Sequence, residues 1–367
     1  MYTQRVSSIL NKIILKMLIS RRSSAFLVGW VLFFWVISAR SAALPPCQFA
    51  AIYNFGDSNS DTGGISAAFE PIRAPYGEAF FHKPAGRDSD GRLIIDFIAE
   101  QLGLPYLSAY LNSLGVNFRH GANFATGGST IRRQNETIFE YGISPFSLDM
   151  QIVQFNQFKA RTAEIYRDGY LSVYLSPMLQ LLALDLHAFL LSLPNIYGQG
   201  GRAFWIHNTG PIGCLPVNRF YILNPAPGTV DDYGCIKAQN EMAMEFNKQL
   251  KDIVVKLRTE LPEAAITHVD VYTAKYKLIS NSKNLGFADP LKVCCGFHHD
   301  YDHVWCGNKG MVNKTEVYGA SCEDPSVFIS WDGVHYSQAA NQWVANHNFY
   351  GSLTDPPIPI TQACHKQ

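Results

Sequence analysis

The sequence predicts one α/β domain built on a parallel sheet with helices on both faces. Three observations carry this reading. Short apolar runs rich in β-branched and aromatic residues alternate with stretches of helical apolar spacing, and no internal repeat, low-complexity tract or linker divides the chain. Strands separated by helices are joined by crossovers, which make neighbouring strands parallel. The length of 367 residues would allow two domains, but α/β folds of this size also form one.

The first strand is FAAIYNF (49–55), a buried-type run that ends in a sharp turn at Gly56. A Gly/Pro-rich stretch from Pro71 to Gly91 follows it. LIIDFIAEQLG, from Leu93 to Gly103, then has helical spacing and a terminal glycine. Further helices are predicted at 148–166, 235–260 and 336–349, and further strands at 203–208 (AFWIHN) and 265–271 (AITHVDV). The aromatic residues of AFWIHN read as core strand rather than as a sugar-stacking surface.

Ahead of the first strand lies a segment of different character. The first acidic residue is Asp57, whereas Arg5, Lys12, Lys16, Arg21 and Arg22 precede the apolar run AFLVGWVLFFWVIS (25–38), and small residues follow from Ala39 to Ala43. A basic region, an apolar block too short to span a bilayer and a small-residue cleavage zone describe a secretory signal peptide over 1–43. Residues 44–367 are then the mature domain. An uncleaved anchor and an organellar transit peptide are the alternatives; Met17 would start a more ordinary signal peptide, which makes 1–16 an upstream extension. The expected location is secreted, extracellular or cell wall, without stable membrane insertion.

Secretion sets how the eight cysteines are read. Cys47, Cys214, Cys235, Cys294, Cys295, Cys306, Cys322 and Cys364 all lie beyond the cleavage zone, and in an oxidising compartment they pair, in a connectivity the sequence does not choose. Asn135-Glu-Thr137 and Asn313-Lys-Thr315 are glycosylation sequons that suit the same compartment. Thirty basic and thirty acidic residues cancel. That balance gives no drive toward phosphate backbones and disfavours nucleic-acid binding, while 16% charged and 13% aromatic residues disfavour disorder. Composition leaves the oligomeric state open.

Gly56-Asp57-Ser58 stands directly after the first strand, where open parallel sheets place their ligand sites. Ser58 is a candidate nucleophile, although Gly-Asp-Ser alone is also an ordinary turn or helix cap. Asp332-Gly333-Val334-His335 follows the apolar run VFISW and precedes a helical pattern. Three-residue spacing on such a turn lets the carboxylate meet the imidazole. A serine hydroxyl needs a base to take its proton, and a carboxylate holds that base in one tautomer. Alone, Asp-x-x-His is a common surface turn.

Those two features, with FGDSNSDTGG (55–64), GANFATGGSTI (121–131), FWIHNTGPIGCLP (204–216), LKVCCG (291–296) and ISWDGVHYSQAANQWVA (329–345), resemble the plant-type GDSL esterase/lipase family of the SGNH hydrolases. The likeness runs from about Cys47 to Cys364. It implies a flavodoxin-like three-layer α/β/α fold and a Ser-His-Asp hydrolase that cleaves ester bonds through an acyl-enzyme. On that likeness Ser58 is the nucleophile and one oxyanion donor, Gly128 a second donor with Gly127 as its neighbouring alternative, His335 the base and Asp332 its partner. No cofactor is implied.

One part of the pattern is missing. The family carries a block resembling Gly-x-Asn-Asp at the end of a central strand, whose Asn completes the oxyanion hole, and the stretch from Tyr166 to Tyr197 has no such block. Losing an oxyanion donor lowers turnover by about 10²–10³. Losing an interior strand would leave its neighbours' backbone groups unpaired. YLSVYL (170–175) is the candidate replacement strand and 177–193 the candidate helix, with Ser176 or Asn195 as nominal substitutes for the donor.

The leading function is therefore a secreted serine esterase. Its substrates would be small-molecule or polysaccharide acyl esters: lipids, acetylated glycans or specialised metabolites. The alternative is a catalytically impaired or inactive secreted glycoprotein, or a splice form, that keeps the triad but cannot assemble its oxyanion hole. A glycosidase such as a fucosidase, with Asp57 and Asp332 as its carboxylates, is the lesser alternative. His298, His299 and His303 beside Cys294, Cys295 and Cys306 suggest metal ligands, but pairing of the thiols is the favoured reading and no metal is expected.

Overall fold

The computed structural model describes residues 45–130, 143–167, 178–182, 186–222, 224–299 and 302–366. The segment 1–43, which the sequence reads as a signal peptide, and the sequon at Asn135 lie outside them. Among the described residues six strands form the main sheet: β1 (Ala51–Phe55), β2 (Gly121–Asn123), β3 (Met178–Leu182), β4 (Ala203–His207), β5 (Ala265–Val269) and, late in the chain, β10 (Thr354–Asp355). Their spatial order is β2-β1-β3-β4-β5-β10. The first five are parallel, and only the two-residue edge strand β10 runs antiparallel, pairing Thr354 with Val269. An order of 2-1-3-4-5 is the flavodoxin-like arrangement, whose ligand crevice opens between β1 and β3.

Among the described residues eight helices accompany this sheet: α1 (Gly64–Ala68), α2 (Ile94–Gln101), α3 (Leu148–Arg167), α4 (Leu186–Gly198), α5 (Val217–Tyr221), α6 (Lys237–Glu260), α7 (Val271–Ser280) and α8 (Gln338–Phe349). One core cluster joins α2, α7 and α8 to the sheet, with Ile95, Leu278 and Val344 among its members. The other joins α3, α4 and α6 through Phe155, Ile196 and Leu250. Two clusters on opposite faces make the molecule three-layered. The periodicity explains the assignment: in α6 the buried Ala243, Leu250, Val254 and Leu257 fall three, four or seven residues apart, leaving the remaining faces in water. Helix starts are locally encoded too, with Asp270 accepting from Thr273 N at α7 and Ser337 from Ala340 N at α8. In β4, Phe204 and Trp205 are fully buried, so they are core residues.

The central stretch differs from its sequence reading. The strand is Met178–Leu182, inside the segment expected to be helix, and the helix is Leu186–Gly198. YLSVYL (170–175) and Ser176 lie outside the described residues. The physical reason is register: β3 fills the slot between β1 and β4, pairing Ala51 with Met178 and Leu179 with Ala203. That pairing satisfies edges that would otherwise be buried and empty. Asn195 is exposed near the C-terminal end of α4, the end remote from the carboxyl ends of the strands, and does not approach the site.

Two hairpins project from the segment before α8: β6 (Phe297–His299) with β7 (Asp302–Val304), and β8 (Lys309–Val312) with β9 (Thr315–Tyr318). The exposed turn of the second is Asn313-Lys314, both at positive φ (48° and 65°), which is the tight-hairpin geometry that asparagine tolerates. All eight cysteines pair, as Cys47–Cys364, Cys214–Cys235, Cys294–Cys322 and Cys295–Cys306. The first ties the two ends of the fold together.

Candidate active site

Strand β1 delivers Gly56-Asp57-Ser58 to the carboxyl edge of the sheet. Gln151 of α3 holds the turn, accepting from Gly56 N at 2.9 Å and donating to Gly56 O at 2.8 Å. Asp57 turns inward on its own loop, where its Oδ1 accepts from Asn59 N and Nδ2.

A buried carboxylate joins this loop to the glycine-rich block. Asp61 accepts from the N–H groups of Gly63, Gly64 and Ile65, and from Gly127 N at 2.7 Å across 66 positions of sequence. Burial raises its pKa, and these four backbone donors oppose the rise. Asn123 adds a second stitch, donating to Ser60 O and Thr62 Oγ1 while accepting from Asn54 Nδ2. Gly121, which begins this block, has φ 107°, and a Cβ there would fall 1.7 Å from Ile52 O. Only glycine permits that approach. The N–H of Gly127 is thus occupied by Asp61, whereas those of Ser58 and Gly128 have no acceptor among the described residues.

The third piece is the loop before α8. Asp332 Oδ1 accepts from Val334 N at 2.9 Å and His335 N at 2.8 Å, which closes the turn. Its Oδ2 lies 2.7 Å from His335 Nδ1 and accepts from Tyr76 O–H at 2.9 Å. His335 Nε2 in turn lies 2.8 Å from Ser58 Oγ. The structure thus brings Ser58, His335 and Asp332 into one chain of hydrogen bonds, although Ser58 and His335 are 277 positions apart.

Electrostatics follow from this packing. Burial would raise the Asp332 pKa, but the His335 charge and hydrogen bonds outweigh it and hold the carboxyl below its ordinary value. Burial would lower that of His335, yet Asp332, Asp88 and Asp57 raise it to about 9. Tyr76 is held protonated by burial and by Asp332. Asp88 is a further carboxylate beside the glycine-rich block, its Oδ2 3.6 Å from where a Cβ on Gly127 would sit. Burial raises its pKa to about 7, the His335 charge opposes the rise, and Asp332, Asp61 and Asp57 add to it.

These values fix a pH dependence. With His335 in its expected role of base, which must be neutral to take a proton, kcat/KM is expected to rise with pH up to a limb near 9. Replacing Asp88 with Asn removes a negative charge that favours the imidazolium, so the limb should move to lower pH. A pH–rate profile of both proteins checks this, and an unmoved limb would remove Asp88 from the site's electrostatics.

Asp61, Asn123, Gln151, Tyr76 and Asp88 were not among the sequence candidates. Asp61 and Asn123 sit inside the quoted motifs, where their spacing to glycine was the available signal. Tyr76 and Gln151 had none. On the hairpin, His298 and His303 oppose each other with Nδ1 atoms 3.4 Å apart and stack on Phe220. Cys294, Cys295 and Cys306 are spent in disulfides and offer no thiolate.

Comparison with known proteins bears on this arrangement. The model of the GDSL-like lipase/acylhydrolase family matches residues 52–348. A GDSL esterase/lipase of Arabidopsis thaliana is 59% identical, the match covering 94% of this chain and 97% of the relative. An esterase of Hevea brasiliensis is 46% identical over 87% of this chain and 90% of its own length. A protein of Arabidopsis thaliana named alpha-L-fucosidase 3 is 45% identical, over 88% and 93% respectively. Among the described residues no helix is long and apolar enough to cross a membrane.

Proposed function

The chain belongs to the GDSL-like lipase/acylhydrolase family as a carboxylic ester hydrolase, and we propose that Ser58, His335 and Asp332 carry its chemistry. The observation that supports these roles most is the continuous chain Ser58 Oγ to His335 Nε2 (2.8 Å) and His335 Nδ1 to Asp332 Oδ2 (2.7 Å). His335 Nε2 takes the Ser58 proton as Oγ attacks the ester carbonyl, and Asp332 stabilises the imidazolium. The tetrahedral oxyanion is received by the backbone N–H groups of Ser58 and Gly128, the two left uncommitted. His335 then protonates the departing alcohol. Water, deprotonated by the same imidazole, releases the acid from Ser58 and restores the enzyme. The sequence after β3 reads Ala183-Leu184-Asp185, without the Asn that the family likeness expects as a third donor. A two-donor hole sets turnover about 10²–10³ below a three-donor one.

The glycosidase reading loses one of its carboxylates. Both oxygens of Asp332 are committed, to two backbone donors, His335 and Tyr76. The substrates we propose are acyl esters of lipids, acetylated glycans or specialised metabolites. The sequence of 1–43 and the four disulfides support secretion to the extracellular space or cell wall. Asn313, exposed on its hairpin, and Asn135 are the proposed glycan acceptors.

The test is hydrolysis of p-nitrophenyl acetate and butyrate by the chain secreted from a eukaryotic host, beside its Ser58→Ala variant. A loss of about 10⁴-fold or more in the variant is expected. Undiminished hydrolysis by Ser58→Ala would overturn the nucleophile. A folded, monodisperse wild type inert toward every ester tried would favour the non-catalytic glycoprotein instead.

A further inference from the structure

Lys275, on the second turn of α7, is a cation the triad mechanism does not use. Its Nζ stands 4.3 Å from the ring centroid of Tyr336, the residue after His335. Its stem fills the space left by Gly210, where a Cβ would fall 2.9 Å from Lys275 Cδ. Neither a carboxylate nor any other hydrogen-bond partner reaches the ammonium among the described residues. Burial pulls its pKa down to about 8, and the field of Asp57 opposes the fall. The facing His207 offers no compensation, since burial and Lys275 itself lower its pKa to about 3 and keep it neutral. The half-buried ammonium lines a cavity rather than a packed core, and the aromatic face of Tyr336 meets only part of its charge, so its N–H donors are available to an anion in that cavity.

The space beside Lys275 is what gives it meaning. A cavity of about 590 Å³ opens at the carboxyl edge of the sheet, and its wall includes Asp57 and Asn59, on either side of Ser58. Ile94, Ile98, Leu148 and Phe246 make much of it apolar, and Lys275 supplies its cation. An apolar recess of this size with few polar groups is the usual form of a small-molecule site. The acyl group is the part of an ester that stays on Ser58 while the alcohol departs, so a recess flanking Ser58 suits the acyl chain.

Building on the esterase reading, we propose that this cavity holds the acyl chain of the substrate and that Lys275 pairs with a carboxylate at its far end, which makes half-esters of dicarboxylic acids the preferred substrate class. An anion placed there pairs with an ammonium that has no other charged partner among the described residues. A neutral chain of equal length offers it no charge to pair with.

The experiment compares monoethyl succinate, glutarate and adipate with ethyl butyrate, valerate and hexanoate, followed by pH-stat. The best half-ester is expected to exceed its neutral counterpart at least tenfold in kcat/KM. Lys275→Met should reduce that ratio at least tenfold, while Lys275→Arg, which keeps the charge, retains it. A wild-type ratio of one or less, or a ratio unchanged by Lys275→Met, overturns the proposal. Calorimetric binding of the same half-esters to Ser58→Ala reads the site without turnover. Binding that Lys275→Met abolishes in that background supports the proposal even if no ester is hydrolysed, and absence of binding overturns it even if neutral esters are.

Discussion

Asp332→Asn is expected to lower kcat for p-nitrophenyl butyrate by about 10⁴-fold while leaving the fold intact. The hydrogen-bond pattern dictates how the new amide must sit. Two backbone donors, Val334 N and His335 N, point at Oδ1, so the amide oxygen takes that position. The NH₂ group then replaces Oδ2 and faces His335 Nδ1. It donates where the carboxylate accepted, which moves the imidazole proton to Nε2, the nitrogen that faces Ser58 Oγ. A protonated Nε2 is no base. Tyr76, which donates to Oδ2 in the native protein, must turn its hydroxyl and accept instead. Asp88 does not substitute for Asp332, because its carboxylate makes no hydrogen bond to His335 among the described residues. Steady-state kinetics with a thermal melt of the same preparation checks this. A loss below tenfold in a folded variant would mean that Asp332 does not set the tautomer of His335.

That site was partly legible because part of it is local. Asp332 and His335 are three residues apart on one turn, and Ser58 lies just past a strand whose apolar run is plain. The strands and helices around it follow from periodicity, and the predicted spans of β1, β4, β5, α2, α3, α6 and α8 fall within a few residues of those observed. What was not legible depends on partners distant in sequence. Tyr76 reaches Asp332 across 256 positions, and nothing in the Pro-rich stretch that holds it marks one aromatic from another. The family likeness put Gly128 first with Gly127 as its alternative, and nothing in the sequence showed that Asp61 occupies the Gly127 N–H. Strand β3 was misplaced for a similar reason. Met178–Leu182 is a short apolar run that a helix would bury equally well, and its neighbours β1 and β4 decide its state. Disulfide pairing is likewise a property of the folded chain.

The largest effect on stability is expected where the disulfides meet the catalytic loop. Trp331, directly before Asp332, is fully buried among Cys294, Cys295 and Cys306, with Tyr76 set edge-on at 5.9 Å. Its backbone is held on both sides, its O accepting from Cys295 N at 2.6 Å and its N donating to His335 O at 2.8 Å. Cys294 N donates to Ser330 O, so the paired cysteines grip the strand-like segment that presents Asp332. In a small cluster with few other large side chains, the indole is most of the filling. Trp331→Ala should therefore cost about 3–5 kcal/mol. Trp331→Phe should cost about 1–2 kcal/mol, because it keeps a ring and the indole Nε1 has no hydrogen-bond partner among the described residues to lose. Activity should follow the loop: a shift of about 1 Å in His335 relative to Ser58 lowers turnover by about 10²-fold, so Trp331→Ala should be impaired even at temperatures where it is fully folded. Denaturant titration and kcat measured on the same variants separate the two effects. A cost under about 1 kcal/mol for Trp331→Ala would show that the cystines hold the cluster without the indole. Full activity in a destabilised Trp331→Ala would place the control of His335 elsewhere, in the hydrogen bonds of Asp332 to its own turn and to Tyr76.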